Sequence, residues 1–195
     1  MANICVFAGS TRRVKELFYE TARTLGVYLA HEGHTLVYGG SDRGLMGAVA
    51  LSTLSAGGKI IEIIPEIFQD VALRKGELIV TKDFRDRKQS MWERSDAFIA
   101  LPGGFGTLAE IVDVMDTNLL ANEQGKPIKP LVIMNTRGFY DHFLNHVEKI
   151  YHENFAPQDN REIYTAVESC NFAFYFIDRF TQPQLASKVD HIEAK

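Results

Sequence analysis

Short apolar runs alternating with helix-spaced stretches constrain this chain more than any other feature. Residues 4–8, 35–38, 60–64, 78–81, 97–101 and 131–134 read as strands that are largely apolar rather than alternating polar and apolar. Between them, residues 14–30, 45–55, 87–95, 107–121 and 140–151 carry helical spacing. Continuously apolar strands are buried on both faces, and strand–helix–strand units return to one sheet through right-handed crossovers. The pattern predicts an α/β fold, three-layered and Rossmann-like, with a mainly parallel, doubly wound sheet. Residues 66–77 and 153–162 are expected to form irregular loops. No linker or repeat divides residues 1–180, which read as one domain, followed by a polar C-terminal tail at 181–195 that is expected to fray.

Ligands of such sheets sit at the carboxyl ends of the strands. Loops rich in glycine or hydroxyl groups fall there after the first strand (Ala8-Gly9-Ser10-Thr11), the second (residues 39–47) and the fifth (Pro102-Gly103-Gly104-Phe105-Gly106-Thr107). The last opens onto a helix expected from Thr107. Backbone N–H groups and the positive end of a helix dipole then converge on one spot, which binds an anion, most often a phosphate. Glu110 stands one helical turn away, where a site that only binds anions gains nothing from negative charge. Thr107-x-x-Glu110 also has the spacing of a capping box, so helix capping and catalysis both stay open on spacing alone.

Asp86 and Arg87 directly follow the fourth strand, at the same sheet edge. A fixed guanidinium there can pair with phosphate or with Glu110. Arg85 and Lys88, in the same charge run, read as a solvated face, and Asp113, one turn beyond Glu110, as solvated or facing the site. Gly104-x-Gly106-x-x-Ala109 matches a dinucleotide fingerprint in form. It does not follow the first strand, however, and the second strand ends in Tyr38-Gly39-Gly40 rather than an acid, which disfavours a nicotinamide cofactor. His31 with His34, and His142 with His146, lack a third ligand at recognisable spacing, so no metal is expected. No Gly-x-Ser-x-Gly or Gly-Lys-Ser/Thr motif marks a serine hydrolase or a nucleoside triphosphatase.

A net charge of -4 and a pI near 5.9 argue against nucleic acid as a partner, because phosphate backbones demand a basic face. Cys5 and Cys170 sit in apolar or aromatic surroundings and read as buried free thiols rather than a disulfide. No secretory signal precedes residues 4–7, and no run approaches the roughly 18 apolar residues of a membrane span. The expectation is a cytoplasmic protein without a membrane partner.

The motifs taken together resemble the LONELY GUY (LOG) family, the cytokinin riboside 5'-monophosphate phosphoribohydrolases, many of which carry an older "possible lysine decarboxylase" label. The resemblance spans residues 6–167. It includes Phe7-Ala8-Gly9-Ser10, residues 36–40, Gly44-Leu45-Met46-Gly47, Ile64-Pro65 and Arg87-Lys88-x-x-Met91. Residues 95–104 and Gly106-Thr107-x-x-Glu110 are its most specific parts. It implies hydrolysis of the N-glycosidic bond of a nucleoside 5'-monophosphate, a cytokinin riboside monophosphate or AMP, to free base and ribose 5-phosphate. It also implies a homodimer with no cofactor. The family's catalytic pair falls on Arg87 and Glu110, and its substrate contacts on Ser10, Gly40, Met46, Lys88, Gly103, Gly104, Gly106 and Thr107. Breaking a ribosyl bond develops positive charge on the sugar, which a nearby carboxylate stabilises. Arg87 is expected to orient Glu110 and to lower its pKa.

Two alternatives stand beside this one: a non-catalytic nucleotide or molybdenum-cofactor carrier of similar fold, and a hydrolase of ordinary purine or pyrimidine monophosphates. No cofactor lysine motif supports a decarboxylase. The chain departs from the family pattern at Ala109, where an acid is usual, and at residues 116–120, which lack the common Thr-Trp-x-Gln-Leu. Arg85-Asp86 replaces His-Glu, and residues 10–13 lack the glycine often found in the first loop. The core hydrolase residues survive, while the surroundings that would select the base have drifted.

Overall fold

Strand β1 (Asn3–Phe7) lies at the centre of the sheet, and its alternating side chains feed two separate cores. Ile4 and Val6 pack into one cluster, Cys5 and Phe7 into the other, as the two-residue period of a strand requires. In the computed structural model, which describes residues 1–181, helices α1 (Glu16–His31) and α2 (Gly44–Ser55) and the C-terminal α6 (Cys170–Thr181) cover the first face. Helices α3 (Phe84–Glu93), α4 (Phe105–Glu123) and α5 (Asp141–His152) cover the second. The remaining strands are β2 (Thr35–Tyr38), β3 (Lys59–Pro65), β4 (Glu77–Thr81), β5 (Ala97–Ala100), β6 (Leu131–Met134) and β7 (Thr165–Val167).

The order is β4-β3-β2-β1-β5-β6-β7, and every neighbouring pair is parallel. The expected three-layer, doubly wound, Rossmann-like sheet is therefore present, and it is parallel throughout rather than mainly so. The chain winds outward from β1 to β4, returns to the other side of β1 at β5, and winds outward again. The carboxyl ends of β1 and β5 consequently frame a crevice from which the following loops diverge.

Several boundaries differ from the sequence reading. Helix α3 starts three residues before Arg87, because the Asp83 carboxylate accepts the Arg85 and Asp86 N–H groups at 2.8 and 3.0 Å and caps the helix. Helix α4 starts at Phe105 with Gly104 as its N-cap, two residues before Thr107. The stretch after β3 holds a 3-10 turn, Glu66–Val71, and Ala72 bridges back to Ser41. A second 3-10 turn, Gln158–Ile163, lies in the other predicted loop.

Strand β7 and helix α6 had no counterpart in that reading. In α6, Cys170, Ala173, Phe174 and Ile177 are buried at helical spacing, while Phe172 and Tyr175 stay exposed and dilute the apolar stripe. Of the expected tail, residues 182–195 lie outside the described residues. Among the described residues, no helix is long and apolar enough to cross a membrane.

Candidate active site at the crossing point of the sheet

Glycines let the three predicted loops close on one another. The Gly9 N–H donates to the Pro102 carbonyl at 3.2 Å, and the Gly9 carbonyl accepts from the Leu45 and Met46 N–H groups at 2.9 and 3.3 Å. Gly44 has φ +58°, and a Cβ there would lie 2.5 Å from the Gly9 oxygen, so no other residue fits this contact. The loops surround a cavity of about 340 Å³.

Two helix N-termini face this region, but they are not equivalent. The first N–H groups of α2 are already taken by the Gly9 carbonyl. At α4, the first bond back to the turn is Leu108 N–H to the Gly104 carbonyl, and among the described residues nothing accepts from the Phe105, Gly106 or Thr107 N–H. Three unused donors at the positive end of a 19-residue helix form an anion cradle. Gly104, Gly106 and Thr107 line the cavity, with Ser10 contributed by the first loop.

Arg87 and Glu110 meet in the same cavity from helices α3 and α4. Arg87 Nη2 donates to Glu110 Oε1, and both side chains are largely buried. The Arg87 guanidinium also lies over the Phe84 ring, 5.3 Å from its centroid, and its buried Nε has no partner among the described residues. This geometry removes the capping-box reading of Thr107-x-x-Glu110. Thr107 lies inside α4, Gly104 is the N-cap without any side-chain cap bond, and Glu110 turns to Arg87 instead of to a helix N–H.

Arg87 lowers the Glu110 pKa as expected, but the net direction is upward. Burial, with only 6% of the residue exposed, raises it above its ordinary value of 4.5. Arg87 and Lys88 oppose that rise and Asp113 adds to it. Desolvation of the charge therefore outweighs the guanidinium. Glu110 stabilises the fold most below pH 4.5 and loses that contribution as the pH rises through its raised folded value.

Ser10, Met46, Arg87, Gly104, Gly106, Thr107 and Glu110 all line the cavity, whereas Gly40, Lys88 and Gly103 do not. Gly40, at φ +77°, uses its carbonyl to accept the Leu73 N–H at 3.0 Å and so holds the segment after β3. Lys88 pairs with Asp113 beside a small recess behind Glu110. Gly103 packs beneath the turn, where a Cβ would come within 2.1 Å of Thr107 Oγ1, while a Cβ at Gly106 would meet nothing within 4 Å. Gly103→Ala is thus expected to displace the turn and weaken phosphate-ligand binding by about tenfold or more, an effect of order 1.4 kcal/mol. Gly106→Ala should stay close to wild type, and calorimetric titration with ribose 5-phosphate compares the two.

Sequence reasoning missed the opposite wall. Ile64, Pro65, Phe68, Val71 and Phe84 line the cavity on the β3–β4 side, and the Phe68 and Phe84 rings meet edge-on at 5.8 Å. Ile64-Pro65 was visible only as a motif, Phe68 and Val71 only as apolar residues in a segment expected to be loop, and Phe84 carried no signal. Glu62 anchors that segment from inside the sheet by accepting the Arg74, Lys75 and Gly76 N–H groups at 2.9, 2.7 and 3.0 Å. Arg43 and Ser41, from the second loop, supply the polar lining on that side.

A parallel doubly wound sheet with a glycine-built cleft at its crossing point defines a Rossmann-like α/β protein. Residues 46–175 match the family model described as "possible lysine decarboxylase". The chain is 36% identical over 166 residues to the cytokinin riboside 5'-monophosphate phosphoribohydrolase LOG5 of Arabidopsis thaliana, covering 84% of this chain and 71% of that protein. It is 38% identical over 163 residues to LOG3 of the same plant, covering 82% and 74%. The chain belongs to this LOG family. Among solved structures, a Moco carrier protein from Chlamydomonas reinhardtii superposes with a TM-score of 0.67 at 22% identity, covering 92% of this chain and 96% of that one. A molybdenum cofactor binding protein from Rippkaea orientalis gives 0.66 at 24%, covering 92% and 97%. At those identities the likeness is one of fold.

Proposed function

We propose that this protein is an N-glycosyl hydrolase that cleaves a nucleoside 5'-monophosphate, with AMP or a cytokinin riboside monophosphate as substrate, into free base and ribose 5-phosphate. The observation that carries this reading is the placement of a buried carboxylate, Glu110, in the same cavity as the unused N–H donors of α4. The 5'-phosphate is held by the Phe105–Thr107 N–H groups with Ser10, which fixes the ribose and spends binding energy on position. The C1'–N bond breaks with its electron pair going to the base. Positive charge then builds on the ring, and ionised Glu110 stabilises it. Water adds its oxygen to C1', and its proton balances the departing base. Arg87 orients Glu110, and the wall of Phe68, Phe84 and Ile64 suits the flat face of a base.

Incubation with AMP or isopentenyladenine riboside monophosphate, followed by chromatography, should reveal free base and ribose 5-phosphate in equal amounts. Protein that binds these nucleotides and releases no base would overturn the proposal. Because burial raises the Glu110 pKa, the acid limb of kcat should lie above pH 4.5, the ordinary carboxylate value. A limb at or below that value would mean that another group sets the profile.

The relatives named as phosphoribohydrolases support this reading over the carrier alternative, as does the Arg87–Glu110 pair, which a carrier of a phosphorylated ligand does not need. Bound pterin absorbance in the purified protein would reverse the preference. Phe105, Val112 and Leu120, left exposed on α4, support a homodimer. The two buried free thiols, Cys5 and Cys170, support a reducing, cytoplasmic setting.

A further inference from the structure

Tyr140 follows the 3-10 turn Thr136–Gly138 and immediately precedes α5, and it is 1% exposed. It does not line the cavity. Its phenol nevertheless reaches the glycine turn from behind: Oη donates to the Leu101 carbonyl at 2.8 Å, and the Gly103 N–H bears on the same oxygen. From the other strand, the Gly9 N–H holds the Pro102 carbonyl. Both carbonyls that enter the turn are thereby engaged by partners from other loops.

That arrangement matters for an anion site. The Leu101–Pro102 peptide has no N–H to direct. The Pro102–Gly103 peptide rotates as a unit and is held at both ends, its carbonyl by the Gly9 N–H and its own N–H by Tyr140 Oη. A carbonyl swung toward the cavity would place negative charge where the anion sits and turn a donor away. Gly103 and Gly104 have no side chain to resist such rotation. The restraint has to come from outside the turn.

Tyr140 is itself held on several sides. Its N–H donates to Asn135 Oδ1 at 2.8 Å, Asn135 Nδ2 donates to Asp141 Oδ1 at 2.7 Å, and the Asn135 N–H donates to the Val167 carbonyl at 2.8 Å. Its ring meets those of Phe139 and Phe143 edge-on, at 4.9 and 6.3 Å. Burial raises the phenol's pKa, so the group remains a donor across the working pH range.

We propose that Tyr140 is a positioning residue for phosphate recognition: it locks the Leu101–Gly104 turn in the orientation that presents the α4 N–H groups to the ligand. This rests on the assignment of the 5'-phosphate to that turn. The role belongs to the hydroxyl, since the ring alone fills the space.

Tyr140→Phe keeps the ring and removes the bond. Inhibition constants for the two reaction products separate the possibilities, because ribose 5-phosphate uses the turn and adenine does not. In the variant, ribose 5-phosphate should bind about fivefold to tenfold more weakly, the scale of one hydrogen bond. Adenine should bind as in the wild type, and KM for AMP should rise by a similar factor while the melting curve stays cooperative. Unchanged ribose 5-phosphate binding overturns the proposal, as does equal weakening of both products or loss of the fold, each of which marks a general packing role. Wild-type protein that binds no ribose 5-phosphate removes the phosphate assignment itself, and the positioning role with it.

Discussion

Glu110→Gln is expected to leave a folded protein whose turnover has fallen by about 10²–10³-fold, the usual loss when a charge that stabilises a transition state is removed. The glutamine amide oxygen can still accept the Arg87 N–H, but the guanidinium, which cannot shed its proton, is left largely buried without a counter-charge. The melting temperature should therefore fall by a few degrees while the transition stays cooperative. KM should change little, because Phe105, Gly106 and Thr107 still present their N–H groups to the phosphate. Pre-steady-state measurement of base release, with a melting curve beside it, checks both halves. Turnover that survives the substitution would confine Glu110 to holding Arg87 and end its role in bond cleavage.

Arg87→Met should damage the protein in a different and pH-dependent way. It strands Glu110 in a buried position, and breaking a buried pair by removing one partner costs about 3–5 kcal/mol when the remaining group stays charged. Glu110 can escape that cost by taking up a proton. Its pKa, already raised by burial, loses the opposing influence of Arg87 and rises further. A carboxyl whose folded pKa lies above its unfolded value supports stability at low pH and withdraws that support as the pH climbs through the folded value. The variant should thus be close to wild type near pH 4.5 and most destabilised well above it. Its remaining activity should show an acid limb displaced upward. Denaturant melts across that pH range test the sign: a deficit independent of pH would mean that the two side chains are not coupled in the folded state.

The two substitutions report on different properties of one pair. Gln at 110 removes charge and leaves the bonding pattern, so chemistry suffers more than stability. Met at 87 leaves the acid without its cation, so stability and protonation suffer together.

The parts of the molecule legible in the sequence are those written in local periodicity or short spacing. Six of the seven strands appeared as apolar runs, because a buried parallel strand has no polar face to disguise it. The exception, β7, has only three residues, and its central Ala166 is exposed. Arg87, Glu110 and the glycine loops were also legible, since each lies in a loop or in the first two turns of a helix that follows a strand at the same edge of the sheet. The wall formed by Phe68 and Phe84 was not, because one ring comes from a 3-10 turn and the other from the first residue of α3. Tyr140 was hidden for the same reason: it lies 39 positions from its partner Leu101.

Sequence alone, then, determined the parallel layered architecture, the glycine turn and the identity of the acid and the guanidinium, all from patterns within a few residues. Only the tertiary structure decided what those two groups do to each other. The spacing of Thr107 and Glu110 permits a helix cap, yet the cap forms at Gly104, leaving Glu110 free to meet Arg87 across two helices. Arg87 does lower the Glu110 pKa, as pairing the two charges in isolation suggests. Burial outweighs it, because the cost of desolvation depends on how many other side chains exclude water from that point, a quantity fixed only when the whole chain has folded.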